Sequence, residues 1–197
     1  MESIILASGS LRRQGYFRLL GLPFSVMSPQ IDESYEGILP PRELAGDLAV
    51  RKVRRALELI RNSPPWILGA DTLVELDGEV LGKPGDRSLA AAMLKKLQNR
   101  EHRVVTAMAL YNRRTQNIDC RSVSSSVTFA PLGDGEIEWY LDTGEWQGVA
   151  GAYQAQGLAA CFIEAIHGSY SAVVGLPLHE CYVMLRENGY EYGAKQE

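Results

Sequence analysis

The first third of the chain alternates between apolar and polar stretches that predict two strands and two helices. Ile4-Ile5-Leu6-Ala7 has the composition of a short buried strand, and residues 24–27 alternate like a second strand. Between them, Ser10 is a candidate N-cap and Gly21 a candidate C-terminal stop for a helix. Apolar residues at helical spacing then predict a longer helix from Pro41 to Arg61.

The rest of the chain predicts further strands and helices around an apolar central run. Trp66-Ile67-Leu68-Gly69-Ala70 leads into Asp71-Thr72 and continues to Leu76, and Asp77-Gly78 is a strong signal for a hairpin turn. A cap at Asp86 or Ser88 begins a helix whose predicted core face is Leu89, Met93, Leu94 and Leu97. The remaining predicted elements are strands over 79–81, 103–111 and 122–129 and helices over 134–141 and 177–187. This order, without a repeat or linker, predicts a single α/β domain over residues 1–197 with a mixed sheet.

Composition and charge narrow the classes of function. The chain has 197 residues, of which 46% are hydrophobic, enough for one ordinary core. Its net charge of −4 argues against a protein that coats nucleic acid or a membrane surface, because such proteins carry a basic excess. Cys120, Cys161 and Cys181 lack metal-ligand spacing, which favours buried, reduced thiols. We expect a cytoplasmic protein with no signal peptide, no membrane span and no stable nucleic-acid binding.

The segment Ser8-Gly9-Ser10-Leu11-Arg12-Arg13 joins the first predicted strand to the first predicted helix. Its glycine lets the backbone approach a ligand, and the hydroxyls of Ser8 and Ser10 donate to phosphate oxygens. The helix that follows adds free N–H groups and the positive end of its dipole. The guanidinium groups of Arg12 and Arg13 match phosphate geometry. The segment alone is equally compatible with a capped helix that carries two surface arginines.

Two charged residues lie within apolar stretches. Lys52 falls inside the apolar arc of the helix over 41–61. Its ammonium either reaches solvent at the edge of the arc or meets a buried anion, such as a bound phosphate. Asp71 lies in the apolar run that begins at Trp66, where an ionised carboxylate needs a charged partner, hydrogen bonds or a metal. A structural aspartate that caps a nearby loop fits the same pattern.

Weaker signals come from Glu33, Lys83 and two glycine-rich segments. Glu33 is a candidate second carboxylate for a hard cation, and Lys83 offers a cation on the turn Gly82-Lys83-Pro84, although solvent-exposed roles fit both residues. Residues 150–157 and 173–177 are either tight turns beside the core or walls of a pocket for a flat base. A glutamine amide in such a pocket reads the edge of a base with one donor and one acceptor.

These motifs occur in an order that resembles the Maf family of nucleoside triphosphate pyrophosphatases over nearly the whole chain. The motifs are Leu6-Ala7-Ser8-Gly9-Ser10 with Arg12-Arg13, Ile31-Asp32-Glu33, Lys52, Gly69-Ala70-Asp71-Thr72, Gly82-Lys83-Pro84, Val127-Thr128-Phe129, Ala150-Gly151-Ala152-Tyr153, Gln156-Gly157 and Val173-Val174-Gly175-Leu176-Pro177-Leu178. Each motif is weak alone, and the ordered set is specific. The resemblance implies a mixed twisted sheet with flanking helices and two lobes around a cleft, related to the inosine-triphosphate pyrophosphatases. It also implies a homodimer.

The resemblance further implies hydrolysis of a nucleoside triphosphate to the monophosphate and pyrophosphate with a divalent cation, Mg²⁺ or Mn²⁺. Asp71 matches the catalytic base of the family, while Arg12, Thr72 and Gln156 match positions linked to substrate choice. The chemistry of the side chains makes Glu33 and Asp71 the candidate metal ligands and Lys83 a third catalytic candidate. The remaining candidates bind substrate: Ser8, Ser10, Arg12, Arg13, Lys52, Thr72 and Gln156.

Gln156 makes the chain similar to the dTTP/UTP branch of the family, because the 7-methyl-GTP branch tends to have Glu in a Ser-Glu-Gly context. We therefore predict hydrolysis of dTTP and UTP, extending to CTP or modified pyrimidine nucleotides, as house-cleaning of non-canonical nucleotides. The alternatives are a 7-methyl-GTP or purine-type pyrophosphatase and a non-catalytic, nucleotide-binding regulator of cell division. The chain departs from the common family pattern at Leu11 for proline, Gly148-Val149 for Asp-Lys and Gln154-Ala155 for Gly-Ile. The Gly148-Val149 change bears on base preference or on a dimer contact.

Overall fold

The computed structural model describes residues 1–34, 39–61 and 66–193. Its strands are β1 (Ile4–Ala7), β2 (Phe24–Met27), β3 (Trp66–Leu76), β4 (Glu79–Leu81), β5 (Glu101–Asn112), β6 (Asn117–Phe129) and β7 (Ile163–His167). Its helices are α1 (Leu11–Leu19), α2 (Pro41–Leu59), α3 (Arg87–Leu97), α4 (Asp134–Asp142), α5 (Tyr170–Val174) and α6 (Leu178–Glu187). The strands form one sheet in the order β2-β1-β3-β5-β6-β7, with β4 paired to β3. The predicted α/β class, with a mixed sheet and flanking helices, is confirmed.

The chain divides into two compact units. Unit 1 comprises Met1–Asp71, Thr106–Ser122 and Gly175–Glu197, and unit 2 comprises Thr72–Val105 and Val123–Val174. Three boundaries between the units fall within β3, β5 and β6, and the fourth follows the last residue of α5. The single domain over residues 1–197 stays a prediction.

Unit 1 is built on the parallel strands β2, β1 and β3. Ala7, the last residue of β1, lies opposite Met27 on one side and Gly69 on the other. Parallel strands that are covered on both faces need nearly continuous apolar runs, and Ile4 and Leu68 are accordingly buried. Because β1 and β2 end at the same level, the loops that follow them leave the sheet at the same edge.

Helix α2 packs closely on β3 at Gly69. A Cβ atom at this position would lie 2.7 Å from the carbonyl oxygen of Ala49 and 2.9 Å from Val53 Cγ2. It would also lie 3.4 Å from the Cβ atom of Lys52. The missing side chain therefore lets the helix backbone approach the strand and brings Lys52 beside the residues that follow Gly69.

Unit 2 contains the predicted hairpin and the capped helix α3. Asp77 and Gly78 adopt φ angles of 52° and 83° between β3 and β4, the left-handed conformation that this tight turn requires. The carboxylate of Asp86 caps α3 by accepting a hydrogen bond from the backbone N–H of Leu89 at 2.8 Å. The core of the unit includes Leu94, Leu97, Phe129, Tyr140 and Phe162.

One predicted core residue of α3 is wrong. Leu89 is 45% exposed, and Ala90 is fully buried in its place. Residues 90, 93, 94 and 97 follow the i, i+3, i+4, i+7 spacing of one helix face, and Leu89 points about a quarter turn away from the centre of that face. The error arose because Leu89 is large and apolar, whereas helix geometry selects the small Ala90.

Two further expectations concern buried, reduced cysteines and the absence of a membrane span. All three cysteines are free, but only Cys181 is buried, so the expectation of buried thiols is wrong for the exposed Cys120 and Cys161. Among the residues that the structure describes, none of the helices has both the length and the apolar character to cross a membrane.

Candidate active site

The Ser8–Arg13 segment leads from β1 into the first turn of α1. Arg13 is buried, and its Nε atom donates a hydrogen bond to the carbonyl oxygen of Gly175 at 2.8 Å. Its Nη1 atom donates to Ser8 Oγ at 3.0 Å, and the backbone N–H of Ser10 donates to the same oxygen at 3.3 Å. Because the Ser8 oxygen accepts two hydrogen bonds, its own O–H proton remains for a ligand oxygen.

Ser10 occupies the N-cap position of α1, as the sequence predicts. Its hydroxyl makes no capping hydrogen bond to the helix, which corrects the predicted cap. A Ser10 hydroxyl that is not committed to the helix leaves both the side chain and the N–H groups of the first turn suited to an anion.

Arg13 shares its electrostatic surroundings with two acids and a second arginine. Burial lowers the pKa of Arg13 to about 10, Asp71 and Glu33 oppose this effect, and Arg12 adds to it. The guanidinium therefore keeps its charge at neutral pH. Arg12, Arg13, Glu33 and Asp71 thus lie close enough for each of the other three to act on Arg13.

Lys52 joins two carboxylates. Its Nζ atom forms an ion pair with Asp71 Oδ1 and lies 3.5 Å from Glu33 Oε1. The side chains of Lys52 and Asp71 are only 12% and 10% exposed, whereas that of Glu33 is 45% exposed. The lysine inside the apolar arc of α2 therefore meets a buried anion, and in this structure the anion is Asp71.

The position of Asp71 follows from the register of the sheet. Gly69 is the last β3 residue opposite β1, and Asp71 comes two residues later, inside the continuing strand. Ser8 is the first residue after β1, at the same edge of the parallel strands. Ligand sites of open α/β sheets form at this edge, beyond the carboxyl ends of the strands.

Glu33 and Asp71 fit a hard divalent cation that binds together with a phosphate ligand. Both carboxylates approach the same ammonium, so their oxygens already accommodate one cation. Within residues 1–34, 39–61 and 66–193, no group of three or more His, Cys, Asp or Glu side chains is arranged to hold a metal. Mg²⁺ commonly uses one or two carboxylates and completes its shell with water and substrate phosphates. Two acids therefore fit such an ion, and they do not fit a fully protein-held one.

The predicted residues fall into two groups. Unit 1 holds Ser8, Ser10, Arg12, Arg13, Glu33, Lys52 and Asp71, and unit 2 holds Thr72, Lys83 and Gln156. Within unit 2, the carbonyl oxygen of Gly82 accepts a hydrogen bond from the N–H of Gly151 at 3.1 Å, which ties the Lys83 turn to the glycine-rich segment. A Cβ atom at Gly151, whose φ is 67°, would lie 2.9 Å from Val74 Cγ2 of β3. The segments that carry Thr72, Lys83 and Gln156 are thus linked by direct contacts.

Gln156 is exposed and is held by a second glutamine. Its Nε2 atom donates to Gln154 Oε1 at 2.6 Å, and Gln154 Nε2 donates to the carbonyl oxygen of Glu145 at 2.7 Å. Sequence reasoning assigned no individual role to Gln154, Glu145 or Gly175. The Gln154-x-Gln156 spacing was a usable signal for the first. Gly175 acts through its backbone carbonyl, which every residue type carries, and Glu145 acts through both its carbonyl and its carboxylate, whose partners depend on tertiary contacts.

Comparison with known proteins identifies the family. Residues 3–188 match the family model described as Maf-like protein. The chain is 45% identical over 190 residues to a dTTP/UTP pyrophosphatase of Symbiobacterium thermophilum, covering 96% of each chain. It is 42% identical over 190 residues to a protein of the same name from Pelotomaculum thermopropionicum, covering 96% of this chain and 98% of the relative. A third relative of that name, from Geobacter metallireducens, is 44% identical over 188 residues, covering 94% and 96%. The chain therefore belongs to the Maf family.

Proposed function

We propose that this chain is a nucleoside triphosphate pyrophosphatase that hydrolyses dTTP and UTP to the monophosphate and pyrophosphate. The observation that carries the proposal is the nearly buried Lys52–Asp71 pair, in the same electrostatic environment as the buried Arg13. The names of the Maf-family relatives support this choice of reaction and substrate.

Asp71 acts as the general base in this proposal. It orients a water molecule and takes its proton as the oxygen attacks the α-phosphorus, and the bond to the leaving pyrophosphate breaks. The ion pair with Lys52 holds the carboxylate of Asp71 in one orientation. General-base assistance of this kind contributes about 10²–10⁴ to the rate.

The phosphate groups are bound by donors that the fold fixes in advance. Arg13 is held by Gly175 and Ser8, so its charge is oriented before substrate arrives. Ser8, Ser10 and Arg12 supply further donors from the same segment, and we assign Lys83 to phosphate from unit 2. These groups offset the roughly four negative charges that a triphosphate carries. Thr72 and Gln156 are assigned to base selection.

Glu33 and Asp71 would hold the divalent cation. When bound, such an ion offsets phosphate charge and lowers the pKa of a coordinated water. Lys52 would share these two carboxylates with the ion, because its ammonium contacts both of them. Activity should therefore require added Mg²⁺ or Mn²⁺ and disappear with a chelator.

The direct test is pyrophosphate release by Asp71→Asn from dTTP and UTP. We expect kcat to fall by about 10²–10⁴. Near-wild-type release by Asp71→Asn would reject the assignment of the base. A panel of dTTP, UTP, CTP and 7-methyl-GTP, with and without chelator, separates the substrate classes, and metal-dependent monophosphate formation excludes a regulator that only binds.

The proposal extends to the cellular setting. We propose a cytoplasmic, homodimeric enzyme that removes non-canonical pyrimidine nucleotides, without stable binding to nucleic acid. Adding modified pyrimidine triphosphates to the panel tests the house-cleaning role, since these should be hydrolysed at least as well as dTTP and UTP. Sedimentation equilibrium tests the dimer.

A further inference from the structure

We infer that Gln154 locks the orientation of the Gln156 amide, so that Gln156 offers its side-chain carbonyl oxygen to the base and selects uracil and thymine over cytosine. The inference rests on the proposed function, which assigns Gln156 to base selection. Gln154 is a positioning residue in this scheme, because it acts on the base only through Gln156.

The orientation of Gln154 is set by a group that can only accept hydrogen bonds. The backbone carbonyl oxygen of Glu145 only accepts hydrogen bonds, and the side chain of Gln154 meets it at 2.7 Å. Gln154 must therefore direct its NH₂ group toward Glu145. Turning the amide over would set two oxygens against each other at hydrogen-bond distance.

The orientation of Gln154 then fixes that of Gln156. Because the NH₂ group of Gln154 donates to Glu145, its Oε1 atom faces Gln156. Gln156 must therefore donate from its own NH₂ group, and Nε2 lies 2.6 Å from Gln154 Oε1. The exposed Gln156 thus keeps its Oε1 for another donor, and no residue in the described part of the chain donates to that oxygen. The backbone carbonyl of Glu145 thus determines, through Gln154, which end of the Gln156 amide faces away from Gln154.

The backbone around Gln156 is held on both sides. The N–H of Gln154 donates to Tyr140 Oη at 3.2 Å, and the N–H of Leu158 donates to Glu145 Oε2 at 2.9 Å. Gly157 leaves room for this carboxylate, since a Cβ atom there would lie 2.3 Å from Glu145 Oε2. The Gln156 side chain therefore extends from a fixed stretch of chain.

An outward oxygen acceptor discriminates between pyrimidines. Uracil and thymine carry an N3–H donor, which Gln156 Oε1 would accept. Cytosine has a bare N3 acceptor, and two acceptors facing each other leave both without a hydrogen bond. The methyl group that separates thymine from uracil lies on another edge of the ring, so both bases satisfy the same contact.

The test compares two substitutions of Gln154, Gln154→Met and Gln154→Glu, both of which remove the hydrogen bond to the Glu145 carbonyl. Only glutamate keeps an acceptor for the Gln156 amide, because its carboxylate can turn away from the Glu145 carbonyl and still accept through either oxygen. We expect wild type to prefer UTP over CTP at least tenfold in kcat/KM, since one hydrogen bond is worth about tenfold. Gln154→Met should lose about tenfold of that preference with little change in kcat for UTP, while Gln154→Glu should stay within about threefold of wild type. Gln156→Met gives the baseline without base selection.

Binding of α,β-methylene-UTP and α,β-methylene-CTP, measured by calorimetry, provides the readout without turnover. A binding preference for the uridine analogue that Gln154→Met removes would support the lock even if the chain failed to release pyrophosphate, in which case only the proposed function falls. Equal loss of preference in Gln154→Met and Gln154→Glu would mean that Gln154 merely anchors the loop, and an unchanged preference in Gln154→Met would also overturn the inference. Hydrolysis of UTP and CTP without preference would overturn the lock and leave the pyrophosphatase activity intact.

Discussion

At the scale of single residues, the pairing of Lys52 with Asp71 should affect both the free energy of unfolding and the rate of pyrophosphate release. Both side chains are nearly buried, so removing one charge leaves the other without its partner in a poorly solvated position. We expect Lys52→Met to lower the free energy of unfolding by about 1–3 kcal/mol, measured by urea denaturation. Pyrophosphate release should fall as well, because Asp71 loses the group that orients it.

The double variant separates the two effects of Lys52. Lys52→Met combined with Asp71→Asn removes both nearly buried charges of the pair, so its stability should recover toward that of wild type while activity stays lost. Strictly additive losses of stability in the double variant would contradict a direct pairing of the two residues.

His102 predicts the pH dependence of stability. It is buried in unit 2 between Phe129 and Tyr153, with Nε2 2.8 Å from Tyr153 Oη, and Nδ1 has no partner among the described residues. Burial lowers the pKa of His102 to about 4. Below about pH 6.5, His102 is therefore protonated in the unfolded chain, whereas in the folded chain it is protonated only below about pH 4.

Stability should consequently fall as the pH drops from about 6.5 to about 4, and His102 should have no such effect above this window. The contribution is about 2–3 kcal/mol by pH 4.5. Urea denaturation of wild type and His102→Phe at several pH values isolates it, because the other titrating groups are common to both proteins. An identical pH slope in the two proteins would mean that His102 is protonated in the folded state.

At the scale of elements, local signals were sufficient where one segment determines the outcome. The apolar run of β1, the Asp77-Gly78 hairpin and the Asp86 cap of α3 all follow from residues that are neighbours in the chain. The periodicity of α2 likewise singled out Lys52, but it left open whether the ammonium reaches solvent or meets a buried anion. The identity of that anion was beyond the sequence, because it depends on how α2 packs on β3, a contact between residues far apart in the chain.

The candidate site divides in the same way. Residue type and order made Ser8, Arg13 and Asp71 candidates, since a charge or hydroxyl in an unusual position is visible in the sequence. The carbonyls of Gly175 and Glu145 were not visible, because a backbone oxygen acquires its role only from tertiary contacts. Gln154 lies in the glycine-rich segment over 150–157, but its two side-chain partners also depend on how the chain folds.

The packing of α2 on β3 predicts the effect of a single methyl group at Gly69. Gly69→Ala would place that methyl 2.7 Å from the Ala49 carbonyl oxygen, which belongs to helix backbone and cannot turn aside. The helix must shift, which we expect to cost about 1–3 kcal/mol of stability. The shift also moves Lys52 relative to Asp71, so pyrophosphate release should decrease together with the melting temperature.

Gly15→Ala is the matched control for this substitution. Gly15 lies in the exposed part of α1, and a Cβ atom there meets nothing within 4 Å. Alanine in a helix interior is favoured over glycine by about 0.5–1 kcal/mol, so this variant should be slightly more stable and fully active. Equal tolerance of alanine at both positions would show that the close approach of α2 to β3 is dispensable.

At the scale of the whole molecule, the three free cysteines report on folding without any label. Cys120 and Cys161 are exposed, whereas Cys181 is buried on α6 in the core of unit 1, where burial raises its pKa to about 12. Disulfide reagents react with the thiolate, so Cys181 is protected both by access and by protonation. In the native protein we expect Cys161 to react quickly and Cys120 more slowly, because burial and Asp119 raise the pKa of the Cys120 thiol, whereas Cys181 reacts only when the core of unit 1 opens.

Nucleotide binding should act on these thiols unequally. A ligand that binds only the folded chain stabilises it by about 2.7 kcal/mol at a hundred times its Kd, so α,β-methylene-UTP with Mg²⁺ should slow the third thiol about a hundredfold where opening is global. The two exposed thiols need no opening and should keep their rates, which makes them the internal control. A third thiol that reacts as fast as the first two would place Cys181 outside a closed core, and one that the nucleotide fails to slow would mean that opening around α6 is local and leaves the nucleotide site intact.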